Sequence, residues 1–356
     1  MFAYTACRTT KARNARGEGI SVYEIAKDGS WNRQQVLKTE DNPSFFCLDH
    51  TEQFLYSVHG DGTSISAYAI KAGGTLEALN RLDGLGKNPV YITPDATNRY
   101  LCVASLQGGC VTSVERREDG SLGDVVDVIH LEGVPGKNGE PPKGVSHAHQ
   151  CEWDKTGRYL FVPTQGRGVG YERIYVIGFS SETGHFTMKS HIDARTYFEP
   201  RHVAVATDNR RVYGINEKGN SVTFYEFDEA TGTLEARQIV PSLPETYTGQ
   251  GQASAVLIHP TKPFLYVTNR IHESIAWYRI NEQTGYLTCM GWVPCLGLTP
   301  RFFTWMPTGE LLVANEDSDT IRIFDCNPET GEPVFTGRTI PVKSPTGVVF
   351  ATKNLT

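Results

Sequence analysis

Charged and polar side chains with catalytic potential recur at two kinds of position along this chain of 356 residues. Histidines and arginines precede short apolar strands, in the strings SHAHQ (146–150), EPRH (199–202) and TPRF (299–302). Amides, a carboxylate and another arginine follow later strands, as in NEK (216–218) and NRIH (269–272). Imidazole moves protons near neutral pH, and guanidinium groups grip carboxylates, phosphates or a developing oxyanion. These residue types predict acid–base chemistry on an ester-like or anionic substrate.

One imidazole, one carboxylate and two guanidinium groups are the main catalytic candidates: His149, Glu217, Arg201 and Arg270. His149 would act as base or acid, and Glu217 would orient it, or carry the proton itself if burial raises its pKa. The substrate-binding candidates stand at equivalent positions: His147, His202, Arg301, His272, Gln107 and Asn315. The sequence leaves open whether His147 or His149 points inward.

Seven copies of an alternating apolar strand must position these residues. Their first apolar residues are spaced by 45, 46, 63, 48, 53 and 46 positions: Ile20, Ile65, Val111, Ile174, Val222, Ile275 and Ile321. Each copy runs into a turn with glycine: Gly29, Gly74, Gly120, Gly184, Gly232, Gly285 and Gly331. Glycine adopts positive φ without steric cost, so each turn joins two antiparallel strands.

A pair of strands precedes most of these copies. The pairs lie at 43–58, 89–104, 149–163, 200–215, 254–268 and 300–314. The last copy, 345–351, lacks its second strand, which residues 2–6 would supply. Four short strands every ~45–50 residues match one propeller blade. The sequence therefore predicts an all-β fold: a single seven-bladed β-propeller domain of residues 1–356, with the last blade closed by the N-terminal strand.

The strands of a blade are lettered A to D from the axis to the rim. The starts of A strands, the ends of B strands and the B–C loops then share one face of the propeller. All the candidate residues occupy these positions, so we expect them to converge on one axial mouth, where rigidly held loops commonly carry function. The Pro/Gly-rich segment 130–150 would form a rim or lid over this mouth, or else a plain surface insertion.

Composition restricts the partners. The net charge is −6 and no basic run stands out, which argues against nucleic acid, and no apolar stretch approaches the ~18 residues of a membrane helix. Eight scattered cysteines without a CxxC pair, and a first segment without signal-peptide zones, favour a cytoplasmic protein. No nucleotide, GxSxG or zinc motif is found, so no cofactor is expected. The arginines would repel a cation, so no metal is expected; the sequence does not fix the oligomeric state.

Several of these strings together resemble the seven-bladed lactonase family, which includes propeller-type 6-phosphogluconolactonases and fungal 3-carboxy-cis,cis-muconate lactonizing enzymes. They span essentially the whole chain: SHAHQ (146–150), EPRHVA (199–204), INEKGNSVTFYEFD (215–228), VTNRIHESIAWYRI (267–280) and TPRFFTW (299–305). The resemblance implies functional roles for His149 or His147, Arg201, Glu217 and Arg270. Ser146 replaces the family's usual proline, and residues 164–175 replace a shorter acidic loop. Both departures fall at the mouth and bear on the substrate rather than the fold.

Three functions fit these residues. The first is hydrolysis of a sugar-derived lactone, with phosphorylated lactones included, by His/Glu acid–base chemistry and arginine clamps. The second is a cycloisomerase, or intramolecular lyase, acting on a carboxy-muconate or related lactone. The third is a propeller that binds a partner without catalysis, which the charged mouth disfavours. Three converging cations would indicate phosphate binding; two facing arginines with little room for water would indicate the isomerase; a shallow mouth with His149 far from Glu217 would indicate the binding module.

Overall fold

Seven antiparallel sheets follow one another around a central axis in the computed structural model, which describes residues 1–136 and 140–353. The A strands of neighbouring sheets pack side by side. The predicted all-β, seven-bladed β-propeller is thereby confirmed. Residues 137–139, within the expected rim, and 354–356 lie outside the described residues. The domain extent of 1–356 stays a prediction.

The chain starts in the seventh blade and then builds the first three blades in order. Blade 7 receives β1 (Phe2–Cys7), β2 (Ile20–Ile25) and β3 (Trp31–Leu37), with one 3₁₀ turn at Lys11–Arg13. Blade 1 contains β4 (Pro43–Leu48), β5 (Phe54–His59), β6 (Ile65–Ile70) and β7 (Leu76–Leu82). Blade 2 contains β8 (Pro89–Pro94), β9 (Tyr100–Ser105), β10 (Cys110–Arg116) and β11 (Leu122–His130). Blade 3 contains β12 (His147–Ala148), β13 (Glu152–Trp153), β14 (Tyr159–Gln165), β15 (Arg173–Phe179) and β16 (Phe186–Asp193).

The second half of the chain repeats the four-stranded pattern three times. Blade 4 contains β17 (Pro200–Val205), β18 (Arg211–Asn216), β19 (Ser221–Asp228) and β20 (Thr233–Pro241). Blade 5 contains β21 (Gln252–Ile258), β22 (Phe264–Arg270), β23 (Ser274–Ile280) and β24 (Leu287–Pro294). Blade 6 contains β25 (Pro300–Trp305), β26 (Leu311–Asn315), β27 (Thr320–Cys326) and β28 (Pro333–Pro341). The last strand, β29 (Pro345–Ala351), returns to blade 7.

The two ends of the chain close the ring as the sequence predicts. Strand β29 pairs antiparallel with β1, and Phe2 lies opposite Ala351 while Cys7 lies opposite Pro345. This pairing completes blade 7 and satisfies backbone groups that a free sheet edge would leave exposed. The residue that follows β1, Arg8, is thereby fixed at the axial mouth.

The glycine turns between C and D strands also join the blades to each other. The hydroxyl of Tyr56 in blade 1 donates to the carbonyl of Gly120 in blade 2 (2.9 Å), and Tyr266 in blade 5 donates to Gly331 in blade 6 (2.8 Å). Gly120 has φ +82°, and a Cβ there would overlap the ring of Phe54. Glycine is therefore required both by the turn and by the close approach of the neighbouring blade.

Six A strands have a bulge at one residue near the start, where the register skips a position. The bulged residues are Ser44, Val90, Arg201, Ser254, Arg301 and Thr346. In blade 3 the A strand is interrupted between β12 and β13, and His149 lies in the gap. A bulge takes one residue out of the ladder and re-aims its side chain. The interruptions thus set a ring of side chains at the axis.

Candidate active site

A narrow cavity lies on the axis at the mouth. It is lined by Arg8, Ser44, Phe45, Val90, His149, Arg201, His202, Arg301, Phe302 and Thr346. Five of these are bulged A-strand residues, which shows that the bulges build the wall. Its volume is about 30 Å³, which is sufficient for a water molecule.

An aromatic layer supports the two histidines of the cavity. The rings of His149 and His202 meet edge to face at a centroid distance of 5.2 Å, and Tyr91 lies 6.2 Å from His202. Phe45 stacks on Tyr91 at 4.4 Å. The Tyr91 hydroxyl donates to Oε2 of Glu152 over 2.9 Å. Packing from several blades therefore fixes the positions of both imidazoles.

Three charged residues from blades 4 and 5 form what we term the first arginine cluster: Arg201, Glu217 and Arg270. Oε2 of Glu217 lies 3.3 Å from Nε of Arg201 and 3.1 Å from Nη2 of Arg270. The side-chain amide of Gln165 also donates to this oxygen, over 2.9 Å. Arg201 donates through Nη1 to the carbonyl of Ser254. Glu217 therefore holds both arginines in place.

The charge state of Glu217 differs from one sequence-based hypothesis. Burial raises the pKa of this carboxyl, but the charges of Arg270 and Arg201 outweigh burial and bring the pKa down to about 2. Glu217 is thus ionised at neutral pH, and a raised pKa for proton transfer is wrong. Its described contacts are with Arg201, Arg270 and Gln165 rather than with His149.

His149 has the properties of a neutral base. It is 7% exposed, and among the described residues no hydrogen-bond partner reaches its Nδ1 atom. Burial lowers its pKa well below the usual value of 6.5, and the charges of Arg201 and Arg301 lower it further. Burial and Arg201 likewise lower the pKa of His202. Both imidazoles are therefore uncharged at pH 7, and His149 is able to accept a proton.

A second arginine cluster lies on the same mouth and contains Arg8, Glu316 and Arg301. Oε1 of Glu316 lies 3.2 Å from Nε of Arg8, and Oε2 lies 3.2 Å from Nη1 of Arg301. Sequence reasoning missed Arg8. The signal was available, because Arg8 directly follows a B strand, β1, as Glu217 and Glu316 follow theirs.

The backbone holds the arginine and the glutamate of each cluster together in the same way. Glu199 and Thr299 precede the Pro-Arg segments with φ of +51° and +58°. The carbonyl of Glu199 accepts the N–H of Glu217 (2.9 Å), and the carbonyl of Thr299 accepts that of Glu316 (3.0 Å). A β-branched residue at positive φ is an outlier, and such strain persists only where the surroundings enforce it.

Four predicted substrate-binding residues do not line the cavity. His147 is half-buried beside the carbonyl of Gln165, and Gln107 is exposed. His272 contacts Ser274, and the buried Asn315 donates to the carbonyl of Cys295. Of the catalytic candidates, Glu217 and Arg270 stand behind Arg201 rather than in the wall. His149, Arg201, His202 and Arg301 are the predicted residues that the structure brings together.

Two of the larger cavities have different linings. One of about 870 Å³ lies on the same face and is bordered by Glu40, Asp41, Asp61 and Asp83 against two arginines, a balance that disfavours anions. The other, about 560 Å³, opens between blades 6 and 7 beside Trp31.

Within residues 1–136 and 140–353, no three His, Cys, Asp or Glu side chains come close enough to share a metal ion. In the same ranges no helix has the length and apolarity to cross a bilayer.

The family of the chain follows from its match to known proteins. The family model for the seven-bladed β-propeller lactonases matches residues 3–350. This chain belongs to that family. The predicted family is confirmed, and with it the prediction of an enzyme of the lactonase class of carboxylic ester hydrolases.

Relatives span nearly the whole chain. A 6-phosphogluconolactonase of Bacillus subtilis (strain 168) is 27% identical over 339 residues, which are 94% of each chain. One from Formosa agariphila is 27% identical over 329 residues, covering 89% of this chain and 90% of that one. Among solved structures, a periplasmic gluconolactonase of Pseudomonas aeruginosa has a TM-score of 0.86 at 26% identity, with 99% of both chains covered. A protein of Lactobacillus plantarum, with a TM-score of 0.87 at 23% identity over 99% of both chains, shows the fold alone.

Proposed function

We propose that this lactonase hydrolyses a sugar-derived lactone that carries an anionic group. The observation that carries the proposal is the wall of the cavity, where Arg8, Arg201 and Arg301 stand around the neutral base candidate His149. The two clusters together contain four arginines and two glutamates, a formal surplus of two positive charges (4 − 2). A cleft with one sign of charge concentrates substrates of the opposite sign. The relatives named 6-phosphogluconolactonase support the same substrate class.

In this proposal His149 is the general base. It takes a proton from water as the water oxygen bonds to the lactone carbonyl carbon. The carbonyl oxygen becomes an oxyanion, which a guanidinium N–H of Arg201 stabilises. The ring C–O bond then breaks, and the proton held by His149 passes to the departing alkoxide. The product is the open-chain hydroxy acid, and the imidazole returns to its neutral form.

Glu217 and Arg270 act through Arg201. Glu217 engages Nε of Arg201, and the carbonyl of Ser254 engages its Nη1, so that, among the residues that the structure describes, Nη2 is left as a donor for a ligand. Arg270 offsets the charge of Glu217 from the other side. Both are therefore positioning residues. His202 holds the imidazole of His149 by edge-to-face packing.

The alternatives remain as outcomes of the test. A cycloisomerase would use the same cations, and a cavity with room for a single water molecule suits it as well. The convergence of Arg8, Arg201 and Arg301 on this cavity is the observation that favours the lactonase. A binding module would not require an uncharged, unpartnered imidazole between guanidinium groups.

Cytoplasmic location is also part of the proposal. Eight free cysteines, several of them buried, support it, although one similar structure is a periplasmic gluconolactonase.

The test is acid release from a panel of lactones, followed with a pH indicator. The panel contains gluconolactone and other aldonolactones, 6-phosphogluconolactone and muconolactones, with a muconate followed by ultraviolet absorbance. The variants are His149→Ala and Arg201→Gln. The matched controls are His185→Ala and Arg210→Gln, whose side chains are 60% and 75% exposed on turns of the opposite face.

We expect turnover of an aldonolactone that carries an anionic group, such as 6-phosphogluconolactone, by the wild-type protein and by both controls. Loss of a general base typically costs ~10²–10⁴-fold in rate, so His149→Ala should lose that much. Arg201→Gln should lose ~10²-fold or more, as does removal of an oxyanion donor. Full activity of His149→Ala would overturn the role of this base. An absorbance change on the muconate without hydrolysis of any lactone would establish the isomerase instead, and silence on the whole panel would favour a binding module.

A further inference from the structure

We propose that Gln150 and Glu152 are positioning residues, which hold the base His149 and its neighbour His202 in a fixed arrangement across the boundary between blades 3 and 4. This inference rests on the proposed function, because it concerns the base of that reaction. Neither Gln150 nor Glu152 lies in the wall of the cavity. Both would therefore act through the imidazoles, and their loss would slow proton transfer without removing a group that contacts the substrate.

The first step is the interruption of the A strand of blade 3 at the residue that carries the base. Residues 149–151 lie between β12 and β13, and the backbone N–H of His149 donates to the carbonyl of Pro163 over 3.1 Å. A continuous ladder holds a strand by hydrogen bonds along its whole length. An interrupted strand has fewer of these bonds, so the segment that carries His149 depends on other contacts for its position.

The side chain of Gln150 makes such a contact with the neighbouring blade. Its Oε1 atom accepts the backbone N–H of Val203 in β17 over 2.6 Å. β17 is the innermost strand of blade 4, so N–H groups on its axial edge need acceptors from outside the sheet. Gln150 directly follows His149, and Val203 directly follows His202. One hydrogen bond therefore ties together the two segments that carry the imidazoles.

Glu152 fixes the orientation of the Gln150 amide. Nε2 of Gln150 donates to Oε2 of Glu152 over 3.2 Å, and the Tyr91 hydroxyl donates to the same oxygen over 2.9 Å. The carboxylate accepts and the backbone N–H of Val203 donates, so one orientation of the amide satisfies both partners. The ring of Tyr91 also meets His202 edge to face at 6.2 Å. The network thus joins blades 2, 3 and 4 beside the two imidazoles.

Burial gives this network a single favoured arrangement. Gln150 is 5% exposed, and a buried amide is stable only where its donors and acceptor are satisfied. Burial also raises the pKa of Glu152, and the hydrogen bond with Tyr91 opposes this effect. Both hydrogen bonds to Glu152 come from neutral groups. The network therefore requires an acceptor oxygen at this position rather than a negative charge.

The first experiment measures kcat and KM of the full-length protein on the lactone of the panel that the wild type hydrolyses fastest. Gln150→Ala removes both hydrogen bonds of the amide. Gln238→Ala is the matched control, because Gln238 also bonds the backbone of the next blade, at the N–H and carbonyl of Leu287 (2.7 and 3.0 Å), but between outer strands. Thermal melting checks that both variants are folded.

We expect Gln150→Ala to lose about 10- to 100-fold in kcat, as small displacements of a catalytic group do, while KM changes by less than about threefold. Gln238→Ala should retain the wild-type kcat, even if both variants melt at a lower temperature. Equal kcat values in the two folded variants would show that Gln150 contributes to stability alone, and the inference would be overturned.

Substitutions of Glu152 separate hydrogen bonding from charge. The amide oxygen of Glu152→Gln can accept from both Gln150 and Tyr91, so this variant should retain most of the wild-type kcat, whereas Glu152→Ala should lose as much as Gln150→Ala. Equal losses in the two Glu152 variants would mean that the charge acts, against the positioning role. Tyr91→Phe changes one hydroxyl and tests the network if Gln150→Ala fails to fold. Its control is Tyr266→Phe, which loses an interblade bond to Gly331.

Histidine NMR tests the inference without turnover. The imidazoles are isotopically labelled, and the pKa of His149 is measured in the wild type, Gln150→Ala and Gln238→Ala. Arg201 and Arg301, whose charges lower this pKa, are present in all three proteins. We expect the pKa to rise toward 6.5 in Gln150→Ala, because a loosened ring gains contact with water, and to stay unchanged in Gln238→Ala. The acid limb of the kcat/KM profile should move in the same direction.

The NMR result distinguishes failure of this inference from failure of the proposed function. If the wild-type protein hydrolyses no lactone but the pKa of His149 rises in Gln150→Ala alone, the positioning role stands and the proposed function is wrong. If hydrolysis proceeds and Gln150→Ala matches the wild type in both kcat and this pKa, the positioning role is wrong and the lactonase stands.

Discussion

The two arginine clusters of the mouth contain the same residue types but differ in how far solvent reaches them. In the first cluster the side chain of Arg201 is 4% exposed, and Glu217 receives three donors on one oxygen. In the second cluster the side chain of Arg301 is 23% exposed, and the two oxygens of Glu316 are divided between Arg8 and Arg301. The first cluster is therefore shielded from solvent, and the second is partly open to it.

This difference shows how one structural unit, repeated in two parts of the propeller, provides two sites with different exposure to solvent. A buried cluster of paired charges cannot rearrange cheaply, so it is suited to hold an oxyanion donor in a fixed geometry. A cluster that solvent reaches loses less free energy when one of its ion pairs breaks. The neighbouring blade contributes to this difference, because Gln165 of blade 3 donates a hydrogen bond to Glu217 in the first cluster.

The largest expected effect on stability comes from removal of the glutamates. Glu217→Gln leaves two buried guanidinium groups without their carboxylate, and loss of one partner of a buried ion pair costs about 3–5 kcal/mol. Glu316→Gln should cost less, about 1–3 kcal/mol, because solvent reaches Arg301. Urea unfolding at pH 7 measures both. The comparison between the clusters fails if Glu316→Gln proves the more damaging change.

Acid should weaken the first cluster through the same carboxylate. The folded pKa of Glu217 is about 2, below the ordinary value of 4.5, so this group adds stability that is fully present above pH 4.5 and is lost as the pH falls toward 2. The wild-type unfolding free energy should fall by about 3 kcal/mol through this window from Glu217 alone. Urea titrations at several pH values should give a shallower loss for Glu217→Gln. Parallel curves for the two proteins would contradict this assignment.

The pKa of His149 responds to both clusters. Besides burial, the charge of Arg201 in the first cluster lowers it, and the charge of Arg301 in the second cluster lowers it further. Its neutral folded form binds fewer protons than the unfolded chain, so its contribution to stability is lost as the pH falls below 6.5. For the same reason kcat/KM should remain flat near neutral pH and decline only on the acid side. Arg201→Gln should raise the pKa of the imidazole more than Arg301→Gln does, as measured by NMR titration. An unchanged pKa in both variants would show that neither cluster acts on this base.

The smallest expected effect concerns the backbone beneath the second cluster. Thr299 has φ +58°, where blades 1 and 2 have Asn42 and Asn88 at the matching position before the proline. Asparagine tolerates this region better than a β-branched residue, so Thr299→Asn should stabilise the protein by about 0.5–1 kcal/mol. A thermal melt measures the gain, with Glu199→Asn as the counterpart in the first cluster. A lower melting temperature would mean that the hydroxyl contact of Thr299 with Asp317 outweighs the strain.

The structure brings several of the candidate residues together, because blade strands fix the face on which a residue lies. The bulged arginines and His149 were found by their place at A-strand starts, next to the axis. Gln107, His272 and Asn315 share that face but lie at B-strand ends or loops, farther from the axis, and do not line the cavity. The sequence pattern predicts on which face of the propeller a residue lies. Its distance from the propeller axis depends on the strand bulges and on the packing of neighbouring blades. Arg8 was missed because the rule for B-strand ends was not extended to the split blade.

By itself, the sequence determined the number of blades, the order of their strands and the face of the mouth, because glycine turns and alternating strands repeat locally along the chain. Only the tertiary structure decided which charges meet. The pairing of Glu217 with Arg270, and of Glu316 with Arg8, joins residues of different blades and, for Arg8, opposite ends of the chain. Ion pairing and burial then set the charge of Glu217 and the neutrality of His149. Such long-range contacts arise when the ring closes, and no local pattern encodes them.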